Sequence, residues 1–426
     1  MRGQTSSVFN RYREVLSLPG ALAFSVAGVV ARAPMAIQGI STILMIRALY
    51  GSYSLAGFIS AATVVTYAIC APILARLVDR YGQAKIMIPS ILISASAIAG
   101  IIFSAMALAD PWIITVLAVI SGATGGSMGA MVRARWAYVT RDAAQLQAAY
   151  AMEAAFDEFV FVLGPVVATL VTAMIHPTAG LWVALILMVA GSLAFLLQKK
   201  TEPPVNPKVK GEKLESVMRN PAMIVLAITF VGTGALFGAL DLSVVASAEA
   251  AGLSSMAGVI LATMSLGSML SALVYGSRIW AMPVWKLFLL GVTLLAVGVS
   301  PFFLAPNLLV LGIMMFVAGI AIAPTMTNVN TIVQQVVPAA RLTEGLTWTS
   351  TAMTLGLSFG SAVTGPVIDQ SGHHGGFLVV LVFGWVMFLF ALLGYRTLKR
   401  SIIANKTRLE AAQAKKVQEA LDDLGS

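Results

Sequence analysis

Charged residues are scarce in this sequence. Only 11% of the 426 residues are Asp, Glu, Lys or Arg, whereas soluble proteins carry about 25%. Hydrophobic residues make up 58% of the chain, and the mean hydropathy is +0.89. A water-soluble fold needs charge to cover its surface, so this composition excludes a soluble enzyme, a nucleic-acid-binding domain and a disordered chain. We predict a membrane protein.

Cysteine and histidine are almost absent as well. The single cysteine, Cys70, cannot form a disulfide within the chain. Three histidines leave little material for a metal site, and we expect neither a metal nor a cofactor. The sequence also lacks the Gly-x-x-x-x-Gly-Lys-[Ser/Thr] phosphate loop of ATP-driven pumps. This absence argues against an ATP-driven pump.

Long apolar runs dominate the chain. A helix needs about 20 apolar residues to cross the roughly 30 Å hydrocarbon core of a bilayer. The strands of a membrane β-barrel would be near ten residues long, with alternating polarity. The runs therefore predict an all-α, polytopic membrane protein. The predicted spans are 21–46, 55–75, 86–107, 112–132, 148–174, 179–197, 222–246, 256–277, 284–304, 308–329, 345–367 and 376–395.

The basic residues cluster in alternate loops. The chain has 27 Lys and Arg against 18 Asp and Glu, a net charge of +9. With a cytoplasmic N-terminus, all but two of the basic residues fall in cytoplasmic segments; the exceptions are Arg32, inside the first span, and Arg47, in an outer loop. This bias predicts that both termini are cytoplasmic. The positive charge is then explained by topology, so we expect the lipid bilayer, and no nucleic acid, as partner.

A charged, proline-rich linker divides the spans into two sets of six. We predict a cytoplasmic N-terminal segment (1–20), a six-helix bundle (21–197), the linker (198–221), a second bundle (222–395) and a cytoplasmic tail (396–426). An offset of about 201 residues aligns the two bundles. It places Gly51 on Gly252, and Gly164-Pro165 on Gly365-Pro366. We expect these Gly-Pro pairs to pack helices closely.

The loop between spans two and three carries the most specific motif. It reads Ala-Arg-Leu-Val-Asp-Arg-Tyr-Gly-Gln-Ala-Lys from residue 75. This resembles the signature Gly-x-Leu-Ala-Asp-Arg-x-Gly-Arg-Lys, which the major facilitator superfamily of secondary transporters has in this same loop. Leu77, Asp79, Arg80 and Gly82 match in place, whereas the first glycine and two basic positions differ.

The resemblance implies a fold and a mechanism. Two pseudo-symmetric six-helix bundles would enclose a cavity near the middle of the membrane and rock against each other. In the family, the motif's Asp latches the two bundles together and favours the outward-facing state. Here Asp79 would bond to the start of span eleven, near Leu342 to Gly345, and Gly82 would allow a tight turn. Candidate cations beside it are Arg133, Arg135 and Arg141.

Four ionisable residues lie deep inside predicted spans one and five, where each is costly. Arg32 is about 16 Å into span one, and Asp157 and Glu158 are about 14–15 Å into span five from the same side. Glu153 is one turn shallower, on the face of Asp157. We predict that Arg32 pairs with Asp157 or Glu158 and leaves another carboxylate free to bind protons. The alternative is a static ion network that holds the helices together.

Other polar residues in the spans give weaker signals. We predict that Gln38, Asn328, Asn330 and Trp348 line the cavity; hydrogen bonds between packed helices are an equally good explanation. Gly164-Pro165 also resembles a remnant of a motif found in proton-coupled exporters of the family, although valine and alanine stand where further glycines would be.

Together these features predict a secondary active transporter, not an enzyme. We expect a monomer in the plasma (cell inner) membrane that exports a drug-like or metabolite small molecule in exchange for protons. An importer or facilitator of a sugar or organic acid is the alternative. An intramembrane serine hydrolase is a remote one, because residues 125–129 and 356–360 read Gly-x-Ser-x-Gly. That chemistry needs a general base, and the histidines fall in predicted outer loops.

Overall fold

The computed structural model describes residues 8–205, 216–253 and 256–425, with side chains for 10–52, 55–205, 216–253 and 256–407. Within these ranges the chain is helical and contains no strand. The middle of the predicted linker lies outside the described residues. The helices are α1 (Val8–Leu16), α2 (Ala21–Tyr50), α3 (Tyr53–Tyr81), α4 (Gln83–Met106), α5 (Pro111–Thr124), α6 (Met128–Val139), α7 (Ala143–Met174), α8 (Ala179–Leu196), α9 (Pro221–Ala250), α10 (Ala257–Gly276), α11 (Val284–Val299), α12 (Leu308–Gly319), α13 (Ile322–Val336) and α14 (Leu342–Gly425).

The helices confirm the all-α membrane architecture. The described residues include 11 stretches that are long and apolar enough to cross a bilayer. The last stretch, Ala339–Thr407, has 69 residues and bends at Gly372, whose φ of +67° is not helical. At 1.5 Å per residue it is long enough to cross twice, which gives the predicted twelve crossings. Two of the crossings are broken helices: α5 with α6, and α12 with α13.

Polar caps set where several helices begin. Asp142 accepts hydrogen bonds from the backbone amides of Ala144 and Gln145 at the start of α7. Asn220 caps α9 in the same way, and Pro221 follows at the first helical position, where no amide hydrogen is needed. Several helices therefore start before the apolar runs do: α7 begins at Ala143, although its apolar run was placed from residue 148.

Two hydrophobic cores correspond to the two halves of the chain. One core is drawn from α1 to α8, and the other from α9 to α14 with two alanines of α6, Ala130 and Ala134. We call them the N-half and the C-half; the exact domain boundaries stay a prediction. The halves meet most extensively where α3 packs on α14, and where α7 packs on α10 and α13.

These contacts lie toward one end of the bundle. We call it the basic end; it carries α1, the α3–α4 turn, the α6–α7 loop and the start of α14. Alanines also form a small separate core across the boundary, with Ala154 and Ala155 of α7 against Ala272 of α10 and Ala323 of α13. The structure is therefore the state in which the two halves are joined at the basic end.

Small residues let the helices approach closely within each half. A Cβ on Gly164 of α7 would come 2.4 Å from the Cβ of Ala36 in α2. In the C-half the equivalent contact belongs to Gly356 and Gly360 of α14, which lie against backbone carbonyls of α9. The prediction for Gly365 is wrong, because nothing lies within 4 Å of the position of its Cβ. The repeat aligns Gly365 with Gly164, but it is the neighbouring residue Thr364 that is fully buried.

Candidate functional site

Arg32 is the centre of a buried ion cluster at mid-depth. It lies on α2, with its side chain 3% exposed. One guanidinium nitrogen, Nη2, donates to Glu153 Oε2, and the other, Nη1, lies 3.1 Å from Asp157 Oδ1. Both carboxylates project from α7 and are one helical turn apart, so a single guanidinium can reach both.

Glu153 is fully buried, yet its charge is well compensated. Besides Arg32, its Oε1 atom accepts hydrogen bonds from Ser25 Oγ and from Trp136 Nε1, each at 2.7 Å. A buried carboxylate is tolerated when it has a cation and hydrogen-bond donors around it. Three helices, α2, α6 and α7, are therefore tied together through this one side chain.

Asp157 joins Arg32 to a second arginine. Its Oδ2 atom accepts a hydrogen bond from Arg133 Nη2 at 2.6 Å, and its side chain is 26% exposed. Asp157 is thus the most accessible carboxylate of the cluster. The cluster as a whole contains two guanidinium groups and two carboxylates, so its formal charges cancel.

Arg133 was expected beside Asp79 and is not there. The apolar run predicted that span four ends at residue 132, which would leave Arg133 in a loop. The structure instead breaks the span at Gly126, whose φ is +61°, and continues it as α6 to Val139. Arg133 therefore projects from a helix inside the bundle. Its spacing of 24 residues from Asp157 gave no local signal of the pair.

Glu158 does not pair with Arg32. Successive helical residues differ by about 100° in direction, so Glu158 points away from the cluster that Asp157 faces. Its Oε1 atom accepts a hydrogen bond from Ser268 Oγ of α10 at 2.7 Å. The bond crosses from the N-half to the C-half, and no described cation forms an ion pair with Glu158.

Asp79 forms the main polar link at the basic end. Its carboxylate accepts hydrogen bonds from two backbone amides at the start of α14, Thr343 N at 3.2 Å and Glu344 N at 2.8 Å. The amides at a helix N-terminus lack partners within the helix and carry partial positive charge, which suits a carboxylate. The structure thus places Asp79 against the segment that the family resemblance implied.

The rest of the motif shapes the turn beside Asp79. Gly82 has a φ of +97°, which a residue with a side chain rarely adopts, and it separates α3 from α4. Leu77 is half-buried. The guanidinium of Arg80 lies over the ring of Tyr81, 5.0 Å from its centroid.

A second link beside Asp79 is an ion pair, and its residues differ from the predicted ones. We call the two links between α3 and the start of α14, at Asp79 and at this ion pair, the Asp79 gate. Arg76 Nη2 lies 2.7 Å from Glu344 Oε1, so the cation comes from the motif's own helix and its partner from α14. Glu344 is fully buried. The sequence indicates neither member of this pair, because its candidate cations were Arg133, Arg135 and Arg141.

Arg135 and Arg141 also have other roles. Arg135 is buried and holds the start of the linker: it donates to Gln83 Oε1, to the carbonyl of Gln198 and to Thr201 Oγ1. Its guanidinium also stacks on Phe195, 3.9 Å from the ring centroid. Arg141 lies exposed in the α6–α7 loop. Neither residue forms an ion pair with Asp79.

The predicted cavity residues differ in their surroundings. Gln38 is half-buried, and its amide lies 3.4 Å from Ser121 Oγ of α5. Asn328 is buried; its Oδ1 accepts from Tyr275 at 2.7 Å, while its Nδ2 has no hydrogen-bond partner. Trp348 is half-buried with an unpaired Nε1, and Asn330 is half-buried. For Gln38 and Asn328 the observed contacts are bonds between helices of the same half.

No histidine among the described residues contacts either Gly-x-Ser-x-Gly serine. His176 lies beside Thr178, and His374 beside the carbonyl of Phe303. Ser358 donates to a carbonyl of its own helix. The described residues also contain no group of three His, Cys, Asp or Glu side chains that could hold a metal.

The sequence matches the model of one known protein family. A model of the Major Facilitator Superfamily matches residues 23–280, more than half of the chain. The chain belongs to the major facilitator superfamily. No curated protein matches its sequence.

Solved structures of the superfamily share the fold at low sequence identity. The human organic anion transporter MFSD10 (TETRAN) has a TM-score of 0.66 at 15% identity, with 89% of this chain and 99% of that chain covered. A bacterial homologue of the iron transporter ferroportin, in an outward-facing state, has a TM-score of 0.64 at 13% identity, covering 89% and 98%. The fucose:proton symporter FucP of E. coli has a TM-score of 0.67 at 15% identity, covering 88% and 98%.

Proposed function

We propose that this superfamily member is a proton-coupled secondary transporter that exports a drug-like or metabolite small molecule. The proposal rests on one contrast within the membrane. Glu153 and Asp157 are held by guanidinium groups, whereas Glu158 has a serine hydroxyl as its hydrogen-bond partner. Glu158 is therefore the carboxylate at this depth that can take up a proton without breaking an ion pair.

The position of Glu158 couples protonation to movement. Its bond to Ser268 joins α7 of the N-half to α10 of the C-half. An ionised carboxylate accepts a hydrogen bond more strongly than a neutral acid does. Proton uptake by Glu158 therefore weakens one contact between the halves, and proton release restores it. Movement of one half against the other around a shared cavity is the expected mechanism for such paired bundles.

The ion cluster around Arg32 provides a second place for coupling. Asp157 is partly exposed and sits between two guanidinium groups, so substrate or proton arriving at Asp157 competes directly with an ion pair. The cluster also binds α2, α6 and α7 into one rigid unit. A purely static role for Glu153, the most buried member, is compatible with coupling through Asp157.

The proposal has two versions, which differ in the direction of transport and in the transported molecule. Export is favoured by the Gly164-Pro165 sequence in α7. Import is the second version, since the fold is shared with symporters of fucose and of xylose with protons, and with an organic anion transporter. We further propose a monomer in the plasma membrane with both termini cytoplasmic, so that the basic end faces the cytoplasm.

Reconstitution in liposomes tests the function. The purified full-length protein is inserted into vesicles with a trapped pH-sensitive dye, and an imposed pH gradient is followed while drugs, sugars and organic acids are added. We expect at least one compound to drive proton movement, and its labelled form to move against the proton flux. Movement with the protons would support the importer, and substrate flux that ignores the gradient would contradict proton coupling.

Two neutralising variants assign the coupling group. Glu158→Gln keeps the shape of the side chain and removes its titration, so we expect exchange to persist while proton-driven accumulation falls at least about tenfold. Glu249→Gln is the matched control, because Glu249 is exposed at the end of α9. Asp157→Asn and its exposed counterpart Asp369→Asn form a second pair. Normal gradient-driven transport by both Glu158→Gln and Asp157→Asn would refute the coupling site.

A further inference from the structure

The short helix α1 is attached to the N-half. Val15 is fully buried in the N-half core. Glu14 Oε1 accepts a hydrogen bond from Gln145 Nε2 of α7 at 3.0 Å. These two contacts fix α1 at the basic end, next to the first turn of α7.

One side chain of α1 crosses to the other half. The hydroxyl of Tyr12 donates to the carbonyl of Leu273 at 2.7 Å, with the carbonyl of Ala272 at 3.2 Å, both in α10. Tyr12 is only 8% exposed. Burial raises the pKa of the Tyr12 phenol well above its usual value of 10, so the hydroxyl keeps its proton and remains a donor at any physiological pH.

The carbonyl group of Leu273, which accepts this hydrogen bond, has no hydrogen-bond partner within its own helix. Leu273 is one of the last four residues of α10, and the carbonyls of a last helical turn have no amide partner within the helix. In water such a carbonyl would be hydrated. At the contact between the halves it is partly shielded from water, and the Tyr12 hydroxyl supplies its hydrogen bond.

Gly276 makes room for this contact. A Cβ at this position would come 2.6 Å from the Tyr12 hydroxyl oxygen and 2.6 Å from the Cβ of Ala151 in α7. Helices α1, α7 and α10 therefore meet at one point, where a residue larger than glycine would force Tyr12 or α7 away.

We propose that Tyr12 is a positioning residue that clamps the two halves together at the basic end, by carrying α1 of the N-half onto the last turn of α10. The clamp acts separately from the Asp79 gate, which joins α3 to α14. When the basic end opens, the Tyr12 hydroxyl must leave its carbonyl acceptors. The bond thus stabilises the conformation that is closed at the basic end and helps to set the ratio of the two conformations.

Spin-label distances measure this ratio directly. Tyr138 at the end of α6 and Ile279 after α10 are exposed at the basic end on opposite halves, so both positions can carry labels as cysteines in a Cys70→Ser background. In the full-length protein, without substrate and at fixed pH, we expect Tyr12→Phe to raise the ratio of open to closed molecules about tenfold, equivalent to about 1.4 kcal/mol. Gly276→Ala should shift the ratio in the same direction.

Controls separate a clamp from a structural role. Tyr81→Phe removes a hydroxyl at the same end from a residue that is 40% exposed, and should leave the ratio unchanged. Ile98→Ala, which removes packing from the N-half core in α4, should lower the midpoint of thermal unfolding and leave the ratio unchanged. An unchanged distance distribution in Tyr12→Phe would overturn the proposal, including the case in which only the unfolding midpoint falls. Because the readout needs neither substrate nor a pH gradient, its outcome is independent of proton coupling.

Discussion

Asp79 and Glu344 lie 265 residues apart in the chain, and the carboxylate of the first accepts a 2.8 Å hydrogen bond from the backbone amide of the second. The same Glu344 uses its own side chain to bind Arg76, three residues before Asp79. Arg76 and Asp79, one turn apart on α3, thus hold the first turn of α14 through two groups of Glu344: its side-chain carboxylate and its backbone amide. This is a two-point attachment, which fixes both the position and the rotation of α14 at the basic end.

Removing the carboxylate of Asp79 should open the basic end. Hydrogen bonds to a charged group contribute about 1.5–3 kcal/mol each, so we expect Asp79→Ala to shift the conformational ratio strongly toward the open state. Spin-label distances across the basic end measure the shift. Asp142→Ala is the control: Asp142 also caps a helix through two amides, but inside one half. It should cost about 1 kcal/mol of stability and leave the ratio as it is.

The Arg76–Glu344 pair should show a measurable coupling energy. Because the Arg76 side chain is 40% exposed, water screens the pair, and we expect a coupling of about 1 kcal/mol or less. A double-mutant cycle with Arg76→Ala and Glu344→Gln, read as the open-to-closed ratio, measures it. Arg80→Ala is the comparison, since Arg80 stacks on Tyr81 beside the same turn. Additive effects of the two substitutions would contradict the pair's role in the gate.

The sequence was sufficient for features that depend on composition and on distance along a helix. Apolar run lengths predicted the twelve crossings, and counting 1.5 Å per residue placed Arg32 at the depth of Asp157, as observed. The motif between α3 and α4 placed Asp79 against α14, because the resemblance supplied a contact that no local pattern contains. Run length and depth along a helix depend only on position in the chain, so they can be read directly from the sequence.

Predictions from the sequence are wrong where a helix continues through a break. They are also wrong where contacts between distant residues determine the surroundings of a side chain. The apolar pattern predicts a loop at Arg133, because a glycine break with a drop in hydropathy looks the same as the end of a span. Glu158 and Asp157 are adjacent in sequence but face different halves. The equivalence of Gly164 and Gly365 under the repeat could not show that a neighbour covers the first and leaves the second open.

Loss of Arg32 should destabilise the N-half severely. Its removal leaves the fully buried Glu153 without a cation, and breaking a buried pair from one side costs about 3–5 kcal/mol. We expect Arg32→Ala to lower the thermal unfolding midpoint of the detergent-solubilised protein by several degrees. Adding Glu153→Gln should recover part of that loss, because the second substitution removes the stranded charge. A double variant that is as unstable as the sum of both single variants would show that the pair is not the source of the effect.

The two glycines Gly360 and Gly365 of α14 provide a matched test of helix packing. A Cβ on Gly360 would come 2.0 Å from the carbonyl oxygen of Ala235 in α9, so Gly360→Ala must push two backbones apart. Overpacking of this kind costs about 1–3 kcal/mol, which thermal unfolding should detect as a lower midpoint. Gly365→Ala places the same methyl group where nothing lies within 4 Å, and alanine is about 0.5–1 kcal/mol better than glycine inside a helix. We therefore expect its midpoint to be unchanged or higher. Equal destabilisation by both substitutions would mean that α14 is as tightly covered at Gly365 as at Gly360, in the way the internal repeat alone predicts.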